Sequence, residues 1–283
     1  MKQILIPVAA ALVAGCATVD KSASNCACAC PKACKCAPCV CAQNVLTDAE
    51  KAEGWQLLWD GKTTKGWVGE RFDLKTFPDK GWEIKDGVLT VLPRARINEQ
   101  GKWEKLPADQ CRGGGGDIVT EKVFKDFAFK FDFRLTKAAN SGVKYFYNKD
   151  QFKGTCEEYQ VLDPAHPDYD KPNPSGVTGT HRIAALYDLK ATDNAEKYIR
   201  PLGEWNTGMV VSKGAHVEHW LNGVKVLEYD RGSAEFRKLV AVSKYAKEAK
   251  DGQHWGEAVT GRIKLQDHSD STVSYRNLKI REF

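Results

Sequence analysis

The sequence predicts an all-β protein, a β-sandwich of antiparallel sheets with one short helix. Three observations lead there. From Phe127 to Leu135 a phenylalanine or leucine stands at every second position, with Lys130, Asp132 and Arg134 between them, which is the alternation of a strand buried on one side only. Asp86-Gly87 divides Trp82-Glu83-Ile84 from Val88-Leu89-Thr90-Val91, and Asn222-Gly223 divides His216 to Leu221 from Val224 to Tyr229. Both dipeptides readily take the positive φ angles of tight hairpin turns. A helical pattern is well developed only where Ser233 caps a segment whose Phe236, Leu239 and Val240 share a face.

The elements follow in chain order. Met1-Lys2-Gln3, the apolar run Ile4 to Val13 and the small pair Ala14-Gly15 before Cys16 have the layout of a secretory leader, too short to span a bilayer as a helix. Leu12-Val13-Ala14-Gly15-Cys16 resembles a bacterial lipobox. That resemblance implies cleavage before Cys16, lipidation of that cysteine, and export to a bacterial membrane facing the periplasm or cell surface. Residues 1–15 are read as the leader, 16–43 as a cysteine-rich tether and 44–283 as a single β-sandwich domain. In the tether Cys26, Cys28, Cys30, Cys34, Cys36, Cys39 and Cys41 lie among Ala, Pro and Lys. Closely spaced thiolates suit a soft metal, but the spacing lacks the two separated pairs of a zinc finger, so a tether with thiols paired to each other is favoured. Seven is odd, which leaves at least one thiol without a partner there. Cys111 and Cys156 remain to pair with one another or sit free.

From residue 44 onward 38 basic residues stand against 36 acidic ones, which makes no case for a nucleic-acid partner. No linker divides this stretch, and no solenoid or propeller repeat is present. Val143 to Tyr147, Met209 to Ser212 and Thr272 to Ile280 add strands. Gly113 to Gly116 lacks the strand, helix and Lys-Ser/Thr of a phosphate loop and reads as a flexible connection before Asp117-Ile118-Val119-Thr120.

Two strand-like runs carry chemistry. In Glu158-Tyr159-Gln160-Val161-Leu162-Asp163 the pair Glu158 and Gln160 share a face, and in Leu265-Gln266-Asp267-His268 so do Gln266 and His268. Each run sets an acid–base side chain beside an amide, the equipment of a sugar-binding groove, with solvated strand faces as the alternative. A conventional glycosidase using Glu158 and Asp163 is a rival, though five residues along a strand put those two on opposite faces. A lipid-anchored carbohydrate-binding module is a second rival. His216 and His219 fall on opposite faces of one strand and read as structural or exposed, and nothing in the spacing of His181 and Arg182 demands a site role.

Six segments in order resemble the family of exported bacterial domains named for 3-keto-disaccharide hydrolase activity. They are Trp55-Gln56-Leu57-Leu58-Trp59-Asp60-Gly61 with Gly66-Trp67; Asn140-Ser141-Gly142-Val143-Lys144-Tyr145-Phe146; and Glu158 to Asp163 with His166-Pro167-Asp168. Ala185-Leu186-Tyr187-Asp188 is the fourth, Glu204-Trp205-Asn206-Thr207 through His219-Trp220-Leu221-Asn222-Gly223 the fifth, and Leu265 to His268 through Arg276-Asn277 the sixth. The chain departs in having Ser269-Asp270-Ser271 where the family usually has a glycine after His268.

The resemblance implies a concanavalin-like jelly-roll sandwich of two antiparallel sheets, whose concave sheet holds a carbohydrate oxidised at C3. A ketone there acidifies the hydrogen on C2, and the bond from C1 to the departing oxygen lies one carbon further on. A base near C2, an electrophile near the ketone oxygen and an acid near the leaving oxygen are then required. Glu158 or His268 is the expected base and the other the acid. Lys144 or Arg276 would stabilise the enolate oxygen, with a divalent cation as an additional candidate. Asp163 would orient His268 or ligate that cation. Asn140, Gln160, Asn206 and Gln266 would bind hydroxyls, and Tyr187 or Trp205 would stack on a sugar face.

Overall fold

The structure is a computed structural model that describes residues 43–98, 100, 102–248, 252–268 and 272–283. The leader, the lipidation candidate Cys16, the tether as far as residue 42 and Ser269-Asp270-Ser271 lie outside the described residues.

Gln43–Phe283 form one compact unit. Its strands, in chain order, are β1 (Gln56–Leu57), β2 (Trp67–Gly69), β3 (Trp82–Lys85), β4 (Val88–Val91), β5 (Ala95–Ile97), β6 (Trp103–Lys105), β7 (Ile118–Thr120) and β8 (Phe127–Leu135). They continue with β9 (Asn140–Tyr147), β10 (Glu157–Leu162), β11 (Trp205–Lys213), β12 (His216–Leu221), β13 (Val224–Asp230), β14 (Arg262–Leu265) and β15 (Val273–Glu282). One antiparallel sheet has eight strands in the order β13-β12-β11-β8-β15-β4-β3, with β1 on β15; the other has five in the order β10-β9-β14-β7-β2; β5 and β6 form a separate hairpin. The sandwich is therefore the one expected.

Both hairpin turns have the anticipated geometry, with φ of 50° and 73° at Asp86 and Gly87 and 49° and 85° at Asn222 and Gly223. The anticipated helix is α2 (Ala234–Ala241), capped by the Ser233 hydroxyl, which accepts from Phe236 N. A second helix, α1 (Asp48–Ala52), is held by a capping box between Thr47 and Glu50. Its Thr-x-x-Glu signature is visible in the sequence, but no apolar run follows to mark a helix.

The core lies between the sheets. Phe127, Phe129, Phe131 and Phe133 of β8 are fully buried, and Phe131 meets Tyr159 of β10 edge-on at 5.3 Å. Burial of each such ring is worth roughly 2–3 kcal/mol. Polar ties cross this core as well: Tyr275 Oη donates to Ser141 Oγ at 2.7 Å and Tyr159 Oη to Trp220 O at 3.2 Å, and a third centres on His219. His219 Nδ1 lies 2.8 Å from the Ala184 carbonyl, so that nitrogen is the donor and Nε2 is free to accept from the Tyr145 hydroxyl at 2.8 Å. Tyr145 in turn accepts from Tyr229 at 2.8 Å. Burial lowers the His219 pKa to about 4 despite the Ala184 bond, which keeps the ring neutral and the tie intact.

The glycine run departs from expectation. It is a close crossing: a Cβ on Gly115 would meet the Lys80 carbonyl oxygen at 1.9 Å, and Gly116 N donates to Asp267 Oδ2 at 2.8 Å. Glycine is needed there for lack of room, and the run fixes Asp117 at the start of β7. Cys111 is exposed and Cys156 buried, and both are free thiols.

Candidate active site

The cross-strand register builds the site. On β10 and β9, Glu158 stands opposite Lys144 and Gln160 opposite Gly142; on β14, Lys264 stands opposite Lys144. Since neighbours in register share a face, the side of the five-stranded sheet away from the core collects Glu158, Gln160, Asn140, Lys144, Lys264 and Gln266. Inward-facing neighbours such as Tyr159, Val143 and Ile263 anchor those strands in the core.

This face floors a cavity of about 330 Å³, whose wall also includes Glu70, Lys153, Cys156, Tyr187, Lys244, Tyr245 and His268. Charges alternate across the floor. Lys144 Nζ is 3.7 Å from Glu158 Oε2 and 3.8 Å from Asp117 Oδ2. Asp117 Oδ2 is 3.4 Å from Lys264 Nζ, which is 3.2 Å from Glu70 Oε1. Burial opposes the Lys264 charge, yet Asp117 and Glu70 hold its pKa above the ordinary lysine value. Burial pushes the Cys156 thiol up to about 12, so it forms a protonated, unreactive part of the wall.

Glu158 and Lys144 differ from the rest of the row. Glu158 is 4% exposed, and among the described residues neither its carboxylate nor the Lys144 ammonium has a hydrogen-bond partner; both separations exceed hydrogen-bonding reach. Their lone pairs and N–H groups are free for a ligand. Gln160 Oε1 is likewise buried without a partner among the described residues. Gly142 makes room for this arrangement, since a Cβ there would lie 1.9 Å from Glu158 Oε1.

A loop extends the sheet beyond β10. Ala184 N donates to Gln160 O at 2.8 Å and Tyr187 N to Glu158 O at 3.0 Å, which sets Tyr187 beside Glu158. The Tyr187 ring stacks on His181 at 4.6 Å, and His181 Nε2 is 3.0 Å from Asp188 Oδ1. Burial raises the Tyr187 pKa, so its hydroxyl keeps its proton.

Of the expected site residues, Glu158, Lys144, Asn140, Gln160, Tyr187, Gln266 and His268 come together around the cavity. Four do not line it. Asp163 Oδ2 accepts from Ala138 N at 2.5 Å and is buried; it closes the turn before β9. Trp205, Asn206 and Arg276 belong to the eight-stranded sheet. The Trp205 ring lies against the guanidinium groups of Arg276, at 4.1 Å, and Arg134, at 4.7 Å. Asn206 Oδ1 accepts from Arg200 N and Asn222 Nδ2, both at 2.8 Å, so it is a packed corner. Arg276 Nε donates to Asp132 Oδ2 at 3.3 Å, which makes it a tie between strands.

Sequence reasoning missed Lys264, Asp117, Glu70 and Lys244. Lys264 continues the alternation of Gln266 and His268 and was accessible from it, whereas the other three arrive from turns without periodicity. For the divalent cation, the cavity offers a poor ligand set. Its carboxylates are paired to lysines, and among the described residues the one converging ligand group is His216, Glu218 and Glu228 on the other sheet. There Lys225 Nζ already donates to Glu218 at 3.1 Å and Glu228 at 2.6 Å.

A family model described as the 3-keto-alpha-glucoside-1,2-lyase-like domain matches residues 54–281. The chain is 29% identical over 256 residues to a 3-keto-disaccharide hydrolase of Bacteroides thetaiotaomicron, covering 81% of this chain and 79% of that protein. A solved Parabacteroides distasonis structure, provisionally described as a glycosyl hydrolase, superposes with a TM-score of 0.65 at 30% identity, over 86% of this chain and all of that one. A second from the same organism, at 22% identity and a TM-score of 0.54 over 81% of this chain and 99% of that one, shares the fold.

Proposed function

Since this chain belongs to the 3-keto-alpha-glucoside-1,2-lyase-like domain family, we propose that it is a carbohydrate-active hydrolase that cleaves glycosidic bonds of 3-keto sugars. The reaction runs by C2 deprotonation, elimination of the aglycone and hydration. The observation that carries this reading is the Glu158–Lys144 pair, 3.7 Å apart and free of hydrogen bonds among the described residues. The C2 hydrogen and the C3 oxygen sit on adjacent carbons, and a base beside a cation matches that spacing.

Glu158 takes the C2 proton and Lys144 receives the enolate oxygen. The negative charge thereby moves from carboxylate to enolate within reach of the same ammonium, so no charge is stranded at low dielectric. His268, on the same wall, donates a proton to the oxygen leaving C1, and water then adds to C1. Gln160, Gln266 and Asn140 bind hydroxyls and Tyr187 lies against a sugar face. Asp117, itself paired with Lys264 at 3.4 Å, holds Lys144 in place. The leader and lipobox-like segment support export and membrane attachment through Cys16, with the keto sugar met outside the cytoplasm.

The test is to incubate the full chain with a 3-keto glucoside and with its parent glucoside, with and without a chelator, and to follow aglycone release. Release from the keto substrate alone, indifferent to chelator, supports the reading. Release from the parent sugar replaces it with a conventional glycosidase.

A further inference from the structure

Four lysines line the cavity, and three stand within 4 Å of a carboxylate. Lys144 faces Glu158 and Asp117, Lys264 faces Glu70 and Asp117, and Lys153 Nζ is 3.6 Å from Glu248 Oε1. Lys244 alone forms no ion pair among the described residues. Its Nζ lies instead 4.1 Å from the centre of the Tyr187 ring and 5.0 Å from that of Tyr245.

The backbone beneath it is fixed. Lys244 N donates to Asp188 Oδ2 at 2.7 Å, and Asp188 Oδ1 is the partner of His181, whose ring stacks on Tyr187. One carboxylate thus ties down both the lysine and the tyrosine over which its amine lies. Lys244 as a residue is exposed, while its amine lies against rings that line the cavity. Desolvation of the amine against the rings and the charge of Lys144 lower its pKa, against the pull of Glu158 and Asp188. A larger share of this amine is therefore neutral than of an ordinary surface lysine, whereas Lys264 is held as an ammonium ion by Asp117 and Glu70.

We propose that Lys244 is a covalent catalytic residue, whose amine condenses with the C3 ketone of the substrate. This rests on the 3-keto sugar reading above and puts an enamine in place of its enolate, with Lys144 binding the C3 oxygen until it leaves as water. The nitrogen lone pair adds to C3, the carbonyl oxygen takes up protons and leaves as water, and a C3 iminium results. Glu158 removes the C2 proton and the C–H electrons give the C2–C3 enamine. Those electrons then form the C1–C2 double bond as the C1–O bond breaks, with His268 protonating the departing oxygen and the iminium restored at C3. Water adds to C1 and C2 regains a proton. A second water hydrolyses the iminium to ketone and free amine, returning the water lost at the start, so the net consumption is one water. An iminium acidifies C2 beyond what a ketone does, and the cationic sink then forms part of the covalent intermediate.

The experiment is borohydride trapping. The full chain is mixed with a 3-keto glucoside and sodium borohydride, digested and mapped by mass spectrometry, with aglycone release by the untreated protein measured in parallel. The expected result is a reduced sugar adduct on Lys244 with the keto glucoside and none with the parent glucoside. Lys244→Arg, checked for native circular dichroism, would lose the adduct and at least about a hundredfold of turnover. Turnover of the keto glucoside without an adduct on Lys244, an adduct on Lys144 instead, or Lys244→Arg within about threefold of wild type each overturns the proposal. If the wild-type chain fails to turn over the keto glucoside at all, the functional reading falls and takes this one with it.

Discussion

The outer faces of the two sheets carry similar side chains to opposite ends. On the eight-stranded sheet Asp132 accepts from Thr207 at 2.7 Å, Asn277 at 2.7 Å and Arg276 at 3.3 Å, and Glu50 takes Lys130 at 2.5 Å and Lys279 at 2.6 Å. Although burial opposes it, those lysine bonds draw the Glu50 pKa down to about 2. On the five-stranded sheet Glu158 and Lys144 face each other at 3.7 Å with no hydrogen bond to either among the described residues. A closed polar network stabilises a fold, whereas a buried pair left open keeps its hydrogen-bonding capacity for a ligand. The comparison teaches that residue type alone does not mark a site; unmet bonding capacity within a cavity does.

The largest effect should follow from Glu158→Gln. It keeps the shape and removes the base, so turnover of a 3-keto glucoside should fall about a thousandfold with little change in thermal unfolding. A fall of less than tenfold would break the contrast between the faces. Gly142→Ala sharpens it, because the added methyl occupies the place of the Glu158 carboxylate. Displacing the base by about an ångström should cost roughly a hundredfold in kcat, which steady-state kinetics would register. On the opposite face Arg276→Ala should leave kcat/KM within about twofold and instead lower stability by roughly 1–2 kcal/mol, as read from urea unfolding.

The tie between the sheets through His219 has its own signature. His219 takes up a proton near pH 4 in the fold and near 6.5 in the unfolded chain. Between those values the unfolded chain binds more protons, so stability rises with pH across that window and this contribution is level above it. At pH 5 the protein should be roughly 2 kcal/mol less stable than at pH 7 through this residue. His219→Gln should flatten that part of the urea-midpoint profile.

Much of this architecture was legible because strand periodicity is local. Phe127 to Leu135, the two hairpins and α2 carry their signals in adjacent residues, and so do the faces shared by Glu158 with Gln160 and Gln266 with His268. What failed was long-range. Trp205, Asn206 and Arg276 lie in segments that resemble the family, but resemblance does not say which sheet a segment joins. Register across β11, β8 and β15 put them on the far side from the cavity. Asp163 ends a strand, where its carboxylate meets the Ala138 N–H before it can meet a ligand. Lys244 comes from a short 3-10 turn, and its place follows from Asp188, a partner that spacing does not reveal. The glycine run was misread because close packing and flexibility share one composition.

The central claim is that Glu158 acts on the C2 hydrogen, and the most direct measurement is solvent exchange during turnover. The full chain is given a 3-keto glucoside in deuterated buffer, and the released sugar is examined at C2 by mass spectrometry and NMR, against the free 3-keto sugar in buffer alone. Elimination followed by hydration predicts deuterium at C2 above that background, lost together with turnover in Glu158→Gln. Aglycone release with the original hydrogen still on C2 would mean direct displacement at C1 and would contradict the account.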